Sequence, residues 1–547
     1  MTSLLPINDV ATELGLTASE LRPYRGEALK VPVRLVRSLA RGPRRGKIVL
    51  VTAMTPTKHG EGKTVTSIGL AMALRRAGHS AVVCLRQPSL GPVFGIKGGA
   101  AGGGQATVEP SETINLGLTG DLDAVTAAHN LIAALFDNHL FQGNPLGIDR
   151  TTRLWPRALD VEDRGLRQIV TSAQGGPRDP PQNGGFVITA ASEIAAILGL
   201  AEDYDDLRQR VGRILLGFRR TGEPVRAGEL KATGSACALL RFALEPNLLQ
   251  ARDGTPALIH GEPFANIAHG TCSRLSIELG QATAEYCVVE AGFATDLGAE
   301  KFVDIVGPLT GLEVAGGVLV ATLRGLRWHG GVPDERLNSS DPAAVAEGLT
   351  NLDQHVANLR TFGIEPVVVA NRFPGDTPEE LALLKRFCEE RNLPFAESTA
   401  YTDGAPGAES LAARVVEVCA RGGRSRPLYT TETPIEEILD RIVRTIYGGS
   451  GVTLSPEAVE TLATLRRIGE TGGPVCVAKT PLSLSDDPDV RGRPTGFVPK
   501  VHRFTRSAGA GFTVAYLGEI QTMPGLPRRP LAEQIDLSSE GRVIGLL

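Results

Sequence analysis

Lysine is scarce in this chain: 10 lysines stand against 47 arginines in 547 residues. A GC-rich genome accounts for such a ratio without any functional cause, yet it makes each remaining lysine conspicuous. Aromatic residues are few, at 5%, and no charge sign dominates, the net charge being −4. No basic field is therefore available to hold nucleic acid. No apolar run reaches the ~18 residues a membrane span needs, and the opening MTSLLPINDVATELGL lacks the basic and apolar regions of a secretory signal. The seven cysteines are odd in number, widely spaced and free of any CxxC pair. That spacing disfavours a disulfide framework or a structural zinc site and fits reduced thiols in a cytoplasmic protein.

Glycine is what the chain has in excess, at 64 residues, which implies many tight turns or close approaches of backbone to a ligand. Hydrophobic residues at 42% and charged residues at 22% are ordinary for a soluble globular protein. At ~150 residues per domain the length suggests three to four domains, or one large α/β domain with appendages.

Short apolar runs at 47–52, 81–85, 286–289, 317–321 and 366–370 are near-continuous in Val, Ile and Leu, as strands buried on both faces of a parallel sheet require. Helical patterns at 64–77, 124–136, 349–362 and 378–391 lie between them. The alternation predicts an α/β fold with a doubly wound, mostly parallel sheet. Segments 172–185 and 401–408 read as irregular surface, and from about 470 Gly- and Pro-rich turns separate short β-like pieces of a smaller C-terminal unit.

The first predicted strand runs into Thr55-Pro56-Thr57-Lys58-His59-Gly60-Glu61-Gly62-Lys63-Thr64 and then a helix. Strand, glycine loop, Lys-Thr and helix form a phosphate cradle: backbone N–H groups converge on the anion and the helix N-terminus adds about half a positive charge. The first glycine of G-x-x-x-x-G-K-[ST] is replaced by Thr57, but Gly60, Gly62, Lys63 and Thr64 occupy the required junction. Lys63 reaches the terminal phosphates, and the Thr64 hydroxyl suits Mg²⁺.

A second glycine cluster, Gly91 to Gly104, follows the 81–85 strand and Arg86-Gln87 and is expected to offer anion-binding backbone, with Gly98 and Gly99 at the ATP phosphates. Ligands collect at strand C-termini in open α/β sheets, so Arg86 is expected beside the phosphate loop, where a guanidinium stabilises transferring phosphate. Asp121 either caps the helix that it precedes or faces the reacting groups. Asp296 is a candidate for the Mg²⁺ shell, with a helix cap as the alternative. His260 and His269 are nine residues apart, a spacing that supports no metal site.

The motifs TPTKHGEGKT, LRQPSLGPVFGIKGGAAGGG, GEPFANIAHG, AGFATDLGAEKF, ANRFPGDT, SLSDDP and TMPGLP occur in this order and resemble formate–tetrahydrofolate ligase, also called formyltetrahydrofolate synthetase, from about residue 30 onward. The resemblance implies ATP-dependent ligation of formate to tetrahydrofolate through formyl phosphate, with MgATP and an activating monovalent cation (K⁺ or NH₄⁺). It implies a homotetramer of three-domain subunits, placed here at 1–360 for nucleotide and formyl phosphate, 361–450 for the folate platform and 451–547 for a smaller C-terminal domain. Carried over residue by residue, Lys63 is the phosphate-loop lysine and Thr57, Gly60, Glu61, Gly62 and Thr64 its loop. Arg86 holds formyl phosphate, Asp121 is an active-site aspartate, and Phe373-Pro374 is part of the platform on which the pterin stacks.

Departures from the family pattern concentrate where substrate is expected. Gln87 replaces a glutamate, Gly117 and Asp123 replace histidines, Phe141 stands in a histidine position, and Glu262 replaces a glycine. His129-Asn130 stands for Asn-Asn, and Thr271-Cys272 for Cys-Asn. On the folate side, Tyr401 replaces the tryptophan that pairs with Phe-Pro, Glu397 a leucine and Asp403 a lysine. Two further readings stay open at this point: a paralogous ATP-dependent ligase with another acceptor, and a non-catalytic nucleotide-binding paralogue.

Overall fold

The computed structural model describes residues 4–43, 46–97, 99–172, 175–176 and 180–546. Seven strands form its centre: β1 (Lys47–Ala53), β2 (Ala81–Leu85), β3 (Pro256–Ile259), β4 (Tyr286–Glu290), β5 (Val314–Ala321), β6 (Pro366–Asn371) and β7 (Phe395–Ser398). They lie in the order β3-β2-β4-β1-β5-β6-β7, and every neighbouring pair is parallel. Beyond β3 the sheet continues through antiparallel strands, among them Asn247–Ala251 and Ala28–Lys30. The mostly parallel, doubly wound α/β sheet expected from the alternation of apolar runs is thus observed.

The side-chain alternation along each strand explains why the runs are apolar throughout. Ile48, Leu50, Val82, Cys84 and Val289 enter one core, whereas Val49, Val51, Val83, Leu85 and Val288 enter a second core on the opposite face. Both faces are covered, by helices that include α1 (Lys63–Arg76), α2 (Asp121–Phe141), α3 (Pro342–Thr361), α4 (Pro378–Glu390) and α5 (Glu409–Ala420). α3 begins at Pro342, ahead of the 349 that the apolar periodicity suggests, whereas α4 begins at 378 as expected, and a capping residue stands before each. Asp341 accepts from the Ala344 N–H ahead of Pro342, and Thr377 accepts from the Glu380 N–H ahead of Pro378.

Two predicted irregular segments carry regular structure. Gln182–Gly184 pairs antiparallel with Ile169–Thr171. Ala400–Asp403 forms one α-turn and Ala405–Ala408 one 3₁₀ turn. Such short elements rest on tertiary contact, which residue periodicity does not encode. Strands β6 and β7, within 361–450, pair in the same sheet as β1. In the C-terminal stretch Val475–Ala478, Arg503–Ser507 and Phe512–Tyr516 form a separate three-stranded sheet.

The chain leaves β1 for β2 on one side of the sheet, and later passes from β4 to β5 on the other. In open sheets of this kind ligands bind where strand order reverses, which here is at the carboxyl ends of β1, β4 and β5.

Candidate active site

The carboxyl end of β1 leads into a loop whose last residue, Gly62, has φ +75° and caps α1. A Cβ there would lie 2.2 Å from Asn371 Nδ2, so both the left-handed backbone and the close approach require glycine. Asn371, at the end of β6, donates from Nδ2 to the Glu61 carbonyl at 3.0 Å. The Glu61 side chain is buried and engaged within the protein: Oε1 accepts from the Thr57 N–H at 2.7 Å and Oε2 from the Thr322 hydroxyl. The loop is therefore held by Thr322, just after β5, and Asn371, the last residue of β6, leaving Lys63 and Thr64 at the start of α1.

Thr64 Oγ1 donates to Glu290 Oε2 at 2.7 Å. Glu290 ends β4, so the acid that meets the phosphate-loop hydroxyl comes from the adjacent strand. Lys63 has no hydrogen-bond acceptor among the described residues. Burial lowers its ammonium from the usual range, while Glu290 and Glu61 raise it and Arg86 lowers it.

Arg86 follows β2 directly and is half-buried. Its Nη2 lies 3.2 Å from where a side chain on Gly292 would begin, which places the guanidinium beside the end of β4. Arg86 also has no hydrogen-bond acceptor among the described residues. Two cations thus converge at the strand ends with donors directed at no protein carboxylate, the arrangement of an anion site. Gln87 is buried; its N–H donates to the Gly261 carbonyl at 2.9 Å, while its Nε2 has no partner among the described residues. His269 is fully buried with both ring nitrogens likewise unpartnered. Burial, then the charges of Arg86, Arg210 and Lys301, push its imidazole down to about 3. It is neutral at physiological pH.

Asp121 is the first residue of α2, behind Gly120 as cap, and its side chain makes no capping bond. It is buried in an ion pair with Lys30 Nζ at 2.8 Å, and its other oxygen accepts from Asn247 Nδ2 at 2.9 Å. Asp296 is paired with Lys479 Nζ at 2.6 Å, both side chains being buried. Neither aspartate adopts the capping alternative. Lys30, Lys301 and Lys479 are all buried, so part of the small lysine complement stands at interior ion pairs and carbonyl clusters.

Phe373 is half-buried and Pro374 exposed, just beyond β6. The Arg324 guanidinium lies 4.7 Å from the Phe373 ring centroid and donates from Nη2 to the Gly60 carbonyl at 3.0 Å. One side chain therefore joins the phosphate loop to this ring. Tyr401, 57% exposed, packs its backbone on the second glycine cluster: its carbonyl accepts from the Gln105 N–H at 2.8 Å, and a Cβ on Gly104 would lie 2.0 Å from that oxygen. Gly91 and Gly95 meet Glu162, and Gly103 meets the Tyr401 ring. A side chain at any of these four glycines would displace neighbouring protein atoms. Gly99 is half-buried in a stretch without regular structure, and Gly98 lies outside the described residues.

Residue patterns overlooked Glu290, Arg324 and Asn371. Glu290 carried a usable signal, being the single acid closing the apolar run Tyr286-Cys287-Val288-Val289. Arg324 and Asn371 come from elements far apart in the chain, and only the sheet order brings them together.

The family model described as formate–tetrahydrofolate ligase matches residues 1–547. A protein named formate–tetrahydrofolate ligase from Thermus thermophilus is 49% identical over 544 residues, covering 99% of this chain and 98% of that protein. Neither match favours a paralogue with another acceptor or without catalysis. With a glycine loop after β1, Arg86 after β2 and an aromatic ring after β6, they show that the chain belongs to the formate–tetrahydrofolate ligase family.

Proposed function

We propose that this protein joins formate to tetrahydrofolate at the expense of ATP, giving 10-formyltetrahydrofolate, ADP and phosphate. The observation that carries the reading is the pair of cations, Lys63 and Arg86, which follow β1 and β2 and have no hydrogen-bond acceptor among the described residues. A formate oxygen attacks the γ-phosphorus, the bond to the β–γ bridging oxygen breaks, and ADP leaves. Folate N10 then attacks the formyl carbon of formyl phosphate, releasing phosphate and the N10 proton. Both steps move negative charge among phosphate oxygens, which a preorganised guanidinium and ammonium stabilise. Neutral His269 adds no charge to this corner, and the unpartnered Gln87 amide is a donor available to an oxyanion.

In this reading Thr57, Gly60, Gly62, Lys63 and Thr64 cradle the ATP phosphates, and Glu61 braces the loop. Phe373, Pro374 and Tyr401 form the pterin platform, and Gln87 belongs to the folate-binding set with them. Mg²⁺ fits the Thr64 hydroxyl and the Glu290 carboxylate, a hard-oxygen donor set beside the phosphate loop. Bound there, it would offset phosphate charge. Asp296, neutralised by Lys479, acts as a support behind the loop. The reading includes activation by K⁺ or NH₄⁺, a homotetramer and a cytoplasmic setting.

The deciding assay is purified protein with MgATP, K⁺ and formate, with and without tetrahydrofolate, scored for ADP and 10-formyltetrahydrofolate. Folate-dependent product is expected. ADP release that is indifferent to folate would overturn the acceptor. Substituting Na⁺ for K⁺ checks cation activation, and light scattering checks the tetramer.

A further inference from the structure

Strand β7 runs parallel to β6 at the far side of the sheet, and the pairing places Glu397 opposite Ala370 and Ser398 opposite Asn371. The register continues past β6, because the Arg372 N–H donates to the Ser398 carbonyl at 2.9 Å. It therefore brings the Arg372 side chain beside Glu397, and Arg372 Nη1 donates to Glu397 Oε2 at 2.5 Å. Arg372 immediately precedes Phe373 in the chain, so the pair stands next to that ring's backbone.

The remaining donors of Arg372 are poorly used. Its Nε is buried with no hydrogen-bond partner among the described residues. The nearest other carboxylate, Asp376 Oδ2, is 3.7 Å from Nε and already accepts the Phe373 N–H at 2.8 Å. Glu397 is the more solvent-facing member of the pair, its side chain 44% exposed against 28% for Arg372. An exposed ion pair of this kind is weak and readily exchanged. A guanidinium also binds any planar carboxylate in the same forked geometry.

Tetrahydrofolate carries such carboxylates. Beyond the pterin and the aminobenzoyl ring it ends in a glutamyl tail, which lengthens to several carboxylates in polyglutamate forms. We propose that Glu397 occupies Arg372 as an internal stand-in for the tail carboxylate and so sets how strongly the enzyme prefers polyglutamylated folate. Tail binding then exchanges one carboxylate for another on Arg372, and the gain from each added glutamate is reduced. This rests on the reading of Phe373 as the folate platform.

The test compares KM for tetrahydrofolate monoglutamate and triglutamate in the wild type, Glu397→Gln, Arg372→Met and the double variant. Glu397→Gln is expected to lower the triglutamate KM about two- to five-fold, and the monoglutamate KM less, as befits removal of one exposed competing charge. The effect should shrink in high choline chloride, because exposed charges are screened. It should vanish in the Arg372→Met background. An unchanged ratio of the two KM values in Glu397→Gln, or an equal change with Arg372 absent, would show that the pair only fastens the end of β7, and the proposal would fall. Phe373→Ala separates the two levels of inference. A raised KM for both folates with no effect of Glu397→Gln overturns the Glu397 role alone, whereas an unchanged KM for both overturns the platform reading and this proposal together.

Discussion

Thr64 Oγ1 donates to Glu290 Oε2 over 2.7 Å, joining the first turn of α1 to the last residue of β4. The contact presents a hydroxyl and a carboxylate side by side, the oxygen donors that the proposed Mg²⁺ would use. Glu290→Gln keeps the shape and removes the charge. A lost charge-assisted hydrogen bond is worth about 1.5–3 kcal/mol, so kcat/KM should fall roughly 10- to 100-fold. The half-saturating Mg²⁺ concentration should rise with it in a titration at saturating ATP, formate and tetrahydrofolate. An unaltered Mg²⁺ requirement would remove Glu290 from the metal shell.

On the proposed reading Lys63 and Arg86 serve the same anion but differ in expected cost. Lys63→Ala should leave no measurable ADP release if its ammonium is the loop's direct charge on the terminal phosphates. Arg86→Ala should lose about 2–4 kcal/mol of transition-state stabilisation, by comparison with removal of one anion-hole donor. Steady-state rates with all substrates saturating give both figures. Near-wild-type turnover in the Lys63 variant would overturn the phosphate-loop assignment.

Asp121 combines a candidate catalytic position with a buried ion pair to Lys30. Removing one member of such a pair leaves an uncompensated charge and costs about 3–5 kcal/mol. Asp121→Ala should therefore unfold at markedly lower denaturant concentration. Joint replacement with Lys30→Met should recover much of the loss, since no buried charge then stands alone. If stability returns while activity stays absent, Asp121 has a role beyond its pairing. If both return, the aspartate is structural.

How far these features were legible depends on whether they are local in the chain. Gly60, Gly62, Lys63 and Thr64 lie within one strand–loop–helix junction, so residue types and spacing place them. Arg86 follows from the rule that strand ends face the crevice. The corner where Asn371 contacts Gly62 and Glu61 depends on which strands are neighbours, and β1 and β6 are separated by β5. Residue periodicity carries no such order. The same limit applies to the glycines from 91 to 104. Their density is visible in composition, but their neighbours, Glu162 and Tyr401, come from distant elements, so packing and anion binding look alike before the fold is known. Asp296 was ambiguous for a similar reason, since its partner Lys479 lies far along the chain.

Glu193 begins the Glu193–Leu200 helix and receives the Gly509 and Ala510 N–H groups at 2.6 and 3.2 Å, docking the C-terminal sheet on that helix. Burial pushes its carboxyl up to about 7, against the lowering effect of those two N–H groups and Arg506, while Glu470 adds to the rise. The unfolded chain titrates near the ordinary 4.5. Between these values the folded state holds more protons than the unfolded state, so stability falls as pH rises. The contribution is complete below about 4.5 and gone above about 7. Glu193→Gln keeps an oxygen to accept both N–H groups and cannot ionise. Its stability relative to wild type should therefore improve as pH rises from 4.5 to 7.5, by roughly 1–3 kcal/mol once the shift is discounted for partial exposure. Denaturant midpoints at pH 5, 6, 7 and 8 read this directly. Parallel slopes in the two proteins would mean that Glu193 keeps its proton affinity unchanged on folding, and the docking of residues 509–510 would then be insensitive to pH.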